Sequence, residues 1–194
     1  MGELFIHNLN TYIEKYKCNT FIETGTGIGT GLEHACKYSF NKLYSIEIIK
    51  ELYDKCIIKF KTDARCEILN MHSLNGLTHI LQNISKDDRI LFWLDAHFPG
   101  ADFKYGTYED NIDIDIKLPL EAEIKTIKQY RDIKNDVFII DDLQLYENGD
   151  FQFKYCFDKN KLVNKAIDFN SEFNSTHNIV RDYRHQGFII ITPL

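Results

Sequence analysis

Thr20-Phe21-Ile22-Glu23-Thr24-Gly25-Thr26-Gly27-Ile28-Gly29-Thr30 is the stretch that decides the fold. A short apolar run ends in an acid, and glycines then alternate with small residues ahead of a helix-like segment. This is the pattern of a strand, a tight loop and a helix N-terminus, where a nucleotide-like cofactor can rest on bare backbone. Glycine accepts positive φ there and admits a ligand where a Cβ would collide. A dinucleotide fingerprint, G-x-G-x-x-G, needs glycine at position 30, which is Thr30. The pattern is instead E-x-G-x-G-x-G, led by Glu23.

A carboxylate aimed at such a loop suits a cofactor carrying positive charge and disfavours a pyrophosphate. S-adenosylmethionine, with its sulfonium and ammonium groups, has that charge. At these residues the chain resembles the class I S-adenosylmethionine-dependent methyltransferases, whose first motif has this pattern. The resemblance implies cofactor contacts from Glu23, Thr24, Gly25, Thr26, Gly27, Gly29 and Thr30. A glycine-rich turn in some other α/β domain is the plainer reading.

With 194 residues, 44% hydrophobic and 27% charged, the chain is expected to form one domain, 1–194, with a sizeable core. A net charge of -6 with no basic cluster argues against a nucleic-acid groove. The densest lysines (Lys154, Lys159, Lys161, Lys165) alternate with Asp158 and apolar residues, as on a solvated surface. The five cysteines (Cys18, Cys36, Cys56, Cys66, Cys156) form no C-x-x-C pair, so reduced, mostly buried thiols are expected. Residues 1–10 lack the charged and apolar regions of a secretion signal, and no apolar run approaches the ~20 residues that cross a bilayer. A cytoplasmic protein with no membrane and no nucleic-acid partner is the expectation.

Short β-branched runs alternate with helix-like segments, which predicts a Rossmann-like open, mostly parallel sheet with helices on both faces. Strands are expected at Thr20 to Glu23, Lys42 to Ile46, Cys66 to Leu69, Ile90 to Leu94 and Val137 to Ile140. Helices are expected at Thr30 to Tyr38, Ile49 to Lys61, Leu74 to Gln82 and Pro119 to Tyr130. Asn178 to Arg181 and Gly187 to Thr192 read as an antiparallel C-terminal hairpin, the close that the resemblance also implies. Residues 98–118 break the rhythm with Pro99, Gly100, Gly106, aromatics and acids from Glu109 to Asp115. So long a connection is functional or mobile. Directly following Asp95 and His97, it reads as a substrate-covering loop or as a surface excursion.

Ligands of open parallel sheets bind beyond the carboxyl ends of the strands. Those ends carry Glu23, Glu47, His72 with Ser73, Asp95 with His97, and Asp141 with Asp142. So many carboxylates at one edge repel one another unless cations offset them. Glu47, at the end of the second strand, is placed to accept ribose hydroxyls, and neighbouring Ile48 joins it in the expected cofactor set. Where methyltransferases often have an acid near the adenine, this chain has Asn70-Met71-His72-Ser73, so His72 or Ser73 stands in for it. Asp95, Asp141 and Asp142 offer hard oxygen ligands of the kind Mg²⁺ takes. One of them could instead cap a following helix.

The aspartates are similar to those of metal-dependent O-methyltransferases of the macrocin and catechol types. The likeness extends to Trp93-Leu94-Asp95-Ala96-His97 and Pro119-Leu120-Glu121, found in a group of short members, while the long N-terminal helical region of the macrocin type is absent. It implies a Mg²⁺ ion on Asp95, Asp141 and Asp142, with S-adenosylmethionine reaching as far as Asp95. It implies methyl transfer to a hydroxyl of a sugar or other small polar molecule, and leaves a homodimer open. His97 is the candidate proton acceptor, or a structural histidine bonded to a loop carbonyl. His185, between Arg184 and the final strand, is a second catalytic candidate. A module that binds the cofactor without catalysis is an alternative. A nicotinamide oxidoreductase is another, disfavoured by Thr30 and by the lack of a Tyr-x-x-x-Lys pair. A methyltransferase acting on base amino groups would carry an Asn/Asp-Pro-Pro-Tyr motif, which the chain lacks.

Overall fold

A computed structural model describes residues 2–108, 113–147, 165–173 and 175–194. Glu109, Asp110, Lys154, Cys156, Asp158, Lys159 and Lys161 lie outside them. Seven strands form one sheet: β1 (Thr20–Thr24), β2 (Lys42–Glu47), β3 (Cys66–Asn70), β4 (Ile90–Leu94), β5 (Val137–Ile140), β6 (His177–Asp182) and β7 (Phe188–Pro193). Their order is β3-β2-β1-β4-β5-β7-β6, with β1 to β5 parallel and β7 antiparallel to both β5 and β6. This is the Rossmann-like sheet with an antiparallel hairpin that the sequence predicts.

The helices are α1 (Asn10–Tyr16), α2 (Thr30–Ala35), α3 (Lys50–Phe60), α4 (Ser73–Asn83), α5 (Ile114–Lys117), α6 (Leu120–Tyr130) and α7 (Phe169–Phe173). Strand side chains alternate between two cores, because successive residues of a strand point to opposite faces. Phe21, Leu91, Trp93 and Ile139 pack with Leu32 of α2 and Cys56 of α3 on one face. Ile22, Phe92, Phe138 and Ile140 pack with Leu77 of α4 and Ile124 of α6 on the other. Both faces are covered, which is why the central strands read as unbroken apolar runs.

The sequence misses α1, α5 and α7, which are short, and α1 buries only Tyr12. It also extends α2 too far. Beyond Ala35 the Lys37 and Tyr38 amides bond to the His34 and Ala35 carbonyls, so the helix tightens and stops. The strand order reverses between β1 and β4, and that switch point places a crevice beyond their carboxyl ends.

Candidate functional site

The loop after β1 forms one wall of the crevice. Gly25, Gly27 and Gly29 all have positive φ. At Gly25 (φ +81) a Cβ would stand 2.6 Å from the Asp95 carbonyl oxygen, so only glycine lets this loop meet the end of β4. Glu47 ties the loop down, accepting hydrogen bonds from the Gly27 amide at 2.7 Å and the Ile49 amide at 2.8 Å. Burial pushes the Glu47 carboxyl up, against those amides, which favour its charged form.

Glu23 is fully enclosed. Ser45 donates to its Oε2 at 2.5 Å, and Thr26 meets Ser45 at 2.6 Å. Gly31, in the first turn of α2, leaves room for the Glu23 carboxylate where any Cβ would overlap it. Burial pushes the Glu23 carboxyl well above its ordinary range, with Ser45 opposing and Asp95 and Glu47 adding to it. His72 caps α4, its Nδ1 accepting from the Leu74 amide at 3.3 Å. All the residues expected around the cofactor line this cleft except Thr24 and Gly29. Thr24 turns to the opposite face of the sheet, where its Oγ1 donates to Glu123 at 3.4 Å. Gly29 packs on the Phe60 ring.

Beside the glycine loop, Asp95, His97 and Asp142 converge, their candidate ligand atoms within 4.8 Å of one another. His97 Nε2 lies 2.7 Å from Asp142 Oδ2, and its Nδ1 lies 3.4 Å from Asp95 Oδ1. The chain turns sharply to achieve this: Asp142 sits at φ +55, a region aspartate tolerates better than most residues. Burial alone would lower the imidazole. The Asp142 charge, its hydrogen bond and the Asp95 charge outweigh that and hold His97 up at about 9. Burial lifts Asp95 to about 7, with His97 opposing and Asp142 reinforcing. Asp95 Oδ1 and Asp142 Oδ1 are buried without a hydrogen-bond partner. Two carboxylates thus flank one imidazole, each with one oxygen that accepts no hydrogen bond.

Asp141, expected as a third ligand, stands one step behind. Its Oδ1 accepts the Asp142 amide at 2.9 Å, and burial with the Asp142 and Asp95 charges pushes its carboxyl well up. His97 takes its place in the cluster. His185 sits in the turn between β6 and β7, its Nδ1 2.9 Å from Glu3 Oε2, and does not line the cleft.

Residues 98–108 and 113–118 contribute Phe98, Asp102, Phe103, Tyr108 and Ile116 to the lining of the cleft. The base of this connection is fixed: the Phe98 amide donates to the Lys117 carbonyl at 2.9 Å, and Phe98 and Leu118 are buried. Among the described lining residues there is no lysine or arginine.

Sequence reasoning overlooks two contributors. Gly2 packs against the Asp95 carboxylate and the Trp93 ring, a contact with no local signal. Glu123 is 1% exposed and burial lifts it to about 7, Ser73 and Thr24 opposing. It did leave a trace, since the helical period puts it on the same face as Leu120, Ile124 and Ile127.

No family model matches the sequence, and no curated protein does. Solved structures do match the fold. A Staphylococcus aureus protein assigned as a caffeoyl-CoA O-methyltransferase superposes with a TM-score of 0.65 at 12% identity, covering 100% of this chain and 85% of that one. TomG, an O-methyltransferase of tomaymycin synthesis from Streptomyces achromogenes in complex with S-adenosylmethionine, gives 0.59 at 11%, covering 95% and 77%. The Bacillus cereus O-methyltransferase in complex with S-adenosylhomocysteine gives 0.58 at 11%, covering 96% and 79%. The chain has the Rossmann-like fold of the class I methyltransferases. Among the described residues no helix is long and apolar enough to cross a membrane.

Proposed function

We propose that this protein is an S-adenosylmethionine-dependent O-methyltransferase that methylates a hydroxyl of a sugar or another small polar molecule with the help of Mg²⁺. The observation that carries the reading is Asp95, which lines the same cleft as the glycine cradle and keeps a buried Oδ1 that accepts no hydrogen bond, with Asp142 joined to it through His97. Both carboxylates face the single His97 imidazole, and two buried acids against one ring favour a further cation nearby. A sulfonium cofactor and a divalent ion supply that charge.

The residues fit both groups. The Gly25–Gly27 backbone, closed off at Gly25 by the Asp95 carbonyl, is a cradle a Cβ would fill. Glu47 keeps lone pairs free on an oxygen set already fixed by two amides, as recognition of ribose hydroxyls requires. Ile48, His72 and Ser73 line the same cleft and form the side that receives the adenine. Asp95 and Asp142 would hold Mg²⁺, with Asp141 behind them.

When bound, S-adenosylmethionine supplies an electrophilic methyl group, and Mg²⁺ lowers the proton affinity of an oxygen it contacts. The chain's part is alignment and proton handling. With its two carboxylate neighbours neutralised, His97 loses the charges that keep it protonated, and its ring nitrogen becomes able to take the acceptor hydroxyl's proton. Phe98, Tyr108 and Ile116 cover the acceptor and keep water from the methyl group. A wall with acids and, among its described residues, no lysine or arginine suits a neutral, hydroxyl-bearing acceptor.

Calorimetry with S-adenosylmethionine and S-adenosylhomocysteine, followed by a methyl-transfer screen over small hydroxyl compounds with Mg²⁺ or chelator, tests this reading. Binding of both and Mg²⁺-dependent transfer are expected. Binding without transfer to any acceptor would leave a cofactor-binding module, and binding of a nicotinamide dinucleotide instead would make the protein an oxidoreductase.

A further inference from the structure

At the opposite edge of the sheet from the cleft, a second cluster of ligand atoms stands ready-made. Cys36 closes α2, Cys66 opens β3, and Asp63 lies in the turn between α3 and β3. The two sulfurs are 3.5 Å apart, and one Asp63 carboxylate oxygen completes a set within 4.8 Å. All three residues are half-buried, so an ion can reach them from solvent. We infer that Cys36, Cys66 and Asp63 form a binding site for a soft divalent cation of the zinc class, with water as the fourth ligand.

Geometry comes first. Two thiolates on one tetrahedral zinc, each ~2.3 Å from the metal, stand about 3.8 Å apart. The observed separation is within a few tenths of an ångström of that. A disulfide would need the sulfurs to close to about 2.0 Å, well short of the observed separation.

Charge comes second. Arg65 holds Asp63 through Nε to Oδ1 at 2.9 Å and through a terminal nitrogen to Oδ2 at 2.6 Å. That pairing fixes the Asp63 carboxylate beside the two sulfurs. With both thiols protonated, Asp63 and Arg65 cancel. When a divalent ion displaces the two thiol protons to solvent, its two charges match the two thiolates, and the cluster is neutral again. Asp63 Oδ2 takes one of these bonds and keeps a lone pair for the metal.

Arg65 also fixes the frame. It donates to the Cys36, Tyr38 and Phe40 carbonyls at 2.8, 2.8 and 3.3 Å, capping the end of α2. Both cysteines are therefore presented by backbone that a cation-bearing side chain already holds, which lowers the ordering cost of binding. The hard-oxygen cluster at Asp95 and Asp142 has no sulfur, so the two sites select different metals.

The test is a Cd²⁺ titration of the fully reduced, metal-stripped chain, read by thiolate-to-cadmium charge-transfer absorption. The expected result is a band that saturates at one equivalent, is displaced by Zn²⁺, and survives Cys18→Ser and Asp142→Ala. Cys36→Ser and Cys66→Ser should each abolish it, and Asp63→Asn, which leaves both sulfurs, should weaken Cd²⁺ binding by about tenfold or more. No band at stoichiometric Cd²⁺, or a band that persists in folded Cys36→Ser protein, overturns the site. So does a reduced wild type without the band whose thiols pair as a Cys36–Cys66 disulfide when reductant is withdrawn. None of these readouts depends on methyl transfer.

Discussion

His97 Nε2 meets Asp142 Oδ2 at 2.7 Å, and this bond, reaching from the segment after β4 to the turn after β5, joins two neighbouring strand ends into one charged unit. Across the same ring, Asp95 Oδ1 stands at 3.4 Å. Two carboxylates therefore share one imidazole, and both help to keep His97 protonated.

His97→Ala is expected to lower kcat for methyl transfer by on the order of 10² to 10⁴, the range for loss of a proton-transfer group. The KM for the cofactor should move little, because His97 is not part of the glycine cradle. Steady-state kinetics on the variant decides this, and wild-type turnover would remove His97 from the chemistry.

Asp141→Ala combined with Asp142→Ala should abolish turnover while cofactor affinity, measured by calorimetry, stays within a few-fold of wild type. The reason is spatial: the cradle is built from β1 and β2, whereas both aspartates follow β5. Full activity of the wild type in chelator would defeat the Mg²⁺ part of the proposal and leave the cofactor part standing.

Gly25→Ala should fail at the cofactor step. Its φ of +81 strains any L-residue, and the new methyl would stand 2.6 Å from the Asp95 carbonyl oxygen. A loss of roughly 1–3 kcal/mol in stability is expected, together with a loss of S-adenosylmethionine binding. Thermal melting and calorimetry on the same sample separate the two effects. Undiminished affinity would show that the loop is not the cradle.

The sheet was legible because its signals are local. ILFWL at Ile90–Leu94 and VFII at Val137–Ile140 can only be strands buried on both faces, and the glycine spacing after Glu23 fixes the loop between β1 and α2. The site was legible only as far as strand ends could be counted. That rule finds Asp95 and Asp142 but cannot tell Asp141 from Asp142, because the choice depends on Asp142 entering the left-handed region and turning its side chain toward His97. Gly2 beside Asp95 and Cys36 beside Cys66 are contacts between distant segments, and nothing in either neighbourhood of the sequence announces them. Glu123 lies between these cases. Its place on an apolar helix face was visible, but its partner Thr24 was not.

Glu123 should make the fold less stable as pH rises. Burial lifts its carboxyl from 4.5 to about 7, so between those values the folded state holds a proton that the unfolded chain has released. Stability attributable to this group is full below the unfolded value and is lost as pH climbs through the folded one. Glu123→Gln removes the dependence. The difference in unfolding free energy between variant and wild type should grow in the variant's favour from pH 4.5 to 7 and then level off. Parallel denaturation curves at fixed ionic strength would reveal a flat difference if the group were solvated.

His7 should act with the opposite sign. Its ring is 5% exposed, packed edge-on to Phe188 at 4.9 Å, and its Nε2 has no hydrogen-bond partner. Burial, aided by the nearby Arg184 charge, lowers the imidazole from 6.5 to about 4, with Asp182 opposing. The unfolded chain therefore takes up a proton first, and stability falls as pH drops from 6.5 to about 4. The shift corresponds to a loss on the order of 3 kcal/mol across that window, at ~1.4 kcal/mol per unit. His7→Leu keeps an apolar group against Phe188 and cannot protonate, so its unfolding free energy should lack this slope whatever its offset from wild type. Because His7 lies on the segment that brings Gly2 to Asp95, loosening there should also be read by exchange of the 2–8 backbone amides, faster at pH 5 than the pH dependence of intrinsic exchange allows in wild type and not in the variant. Equal pH slopes for the two proteins would mean that His7 is hydrated in solution and free to ionise within the fold.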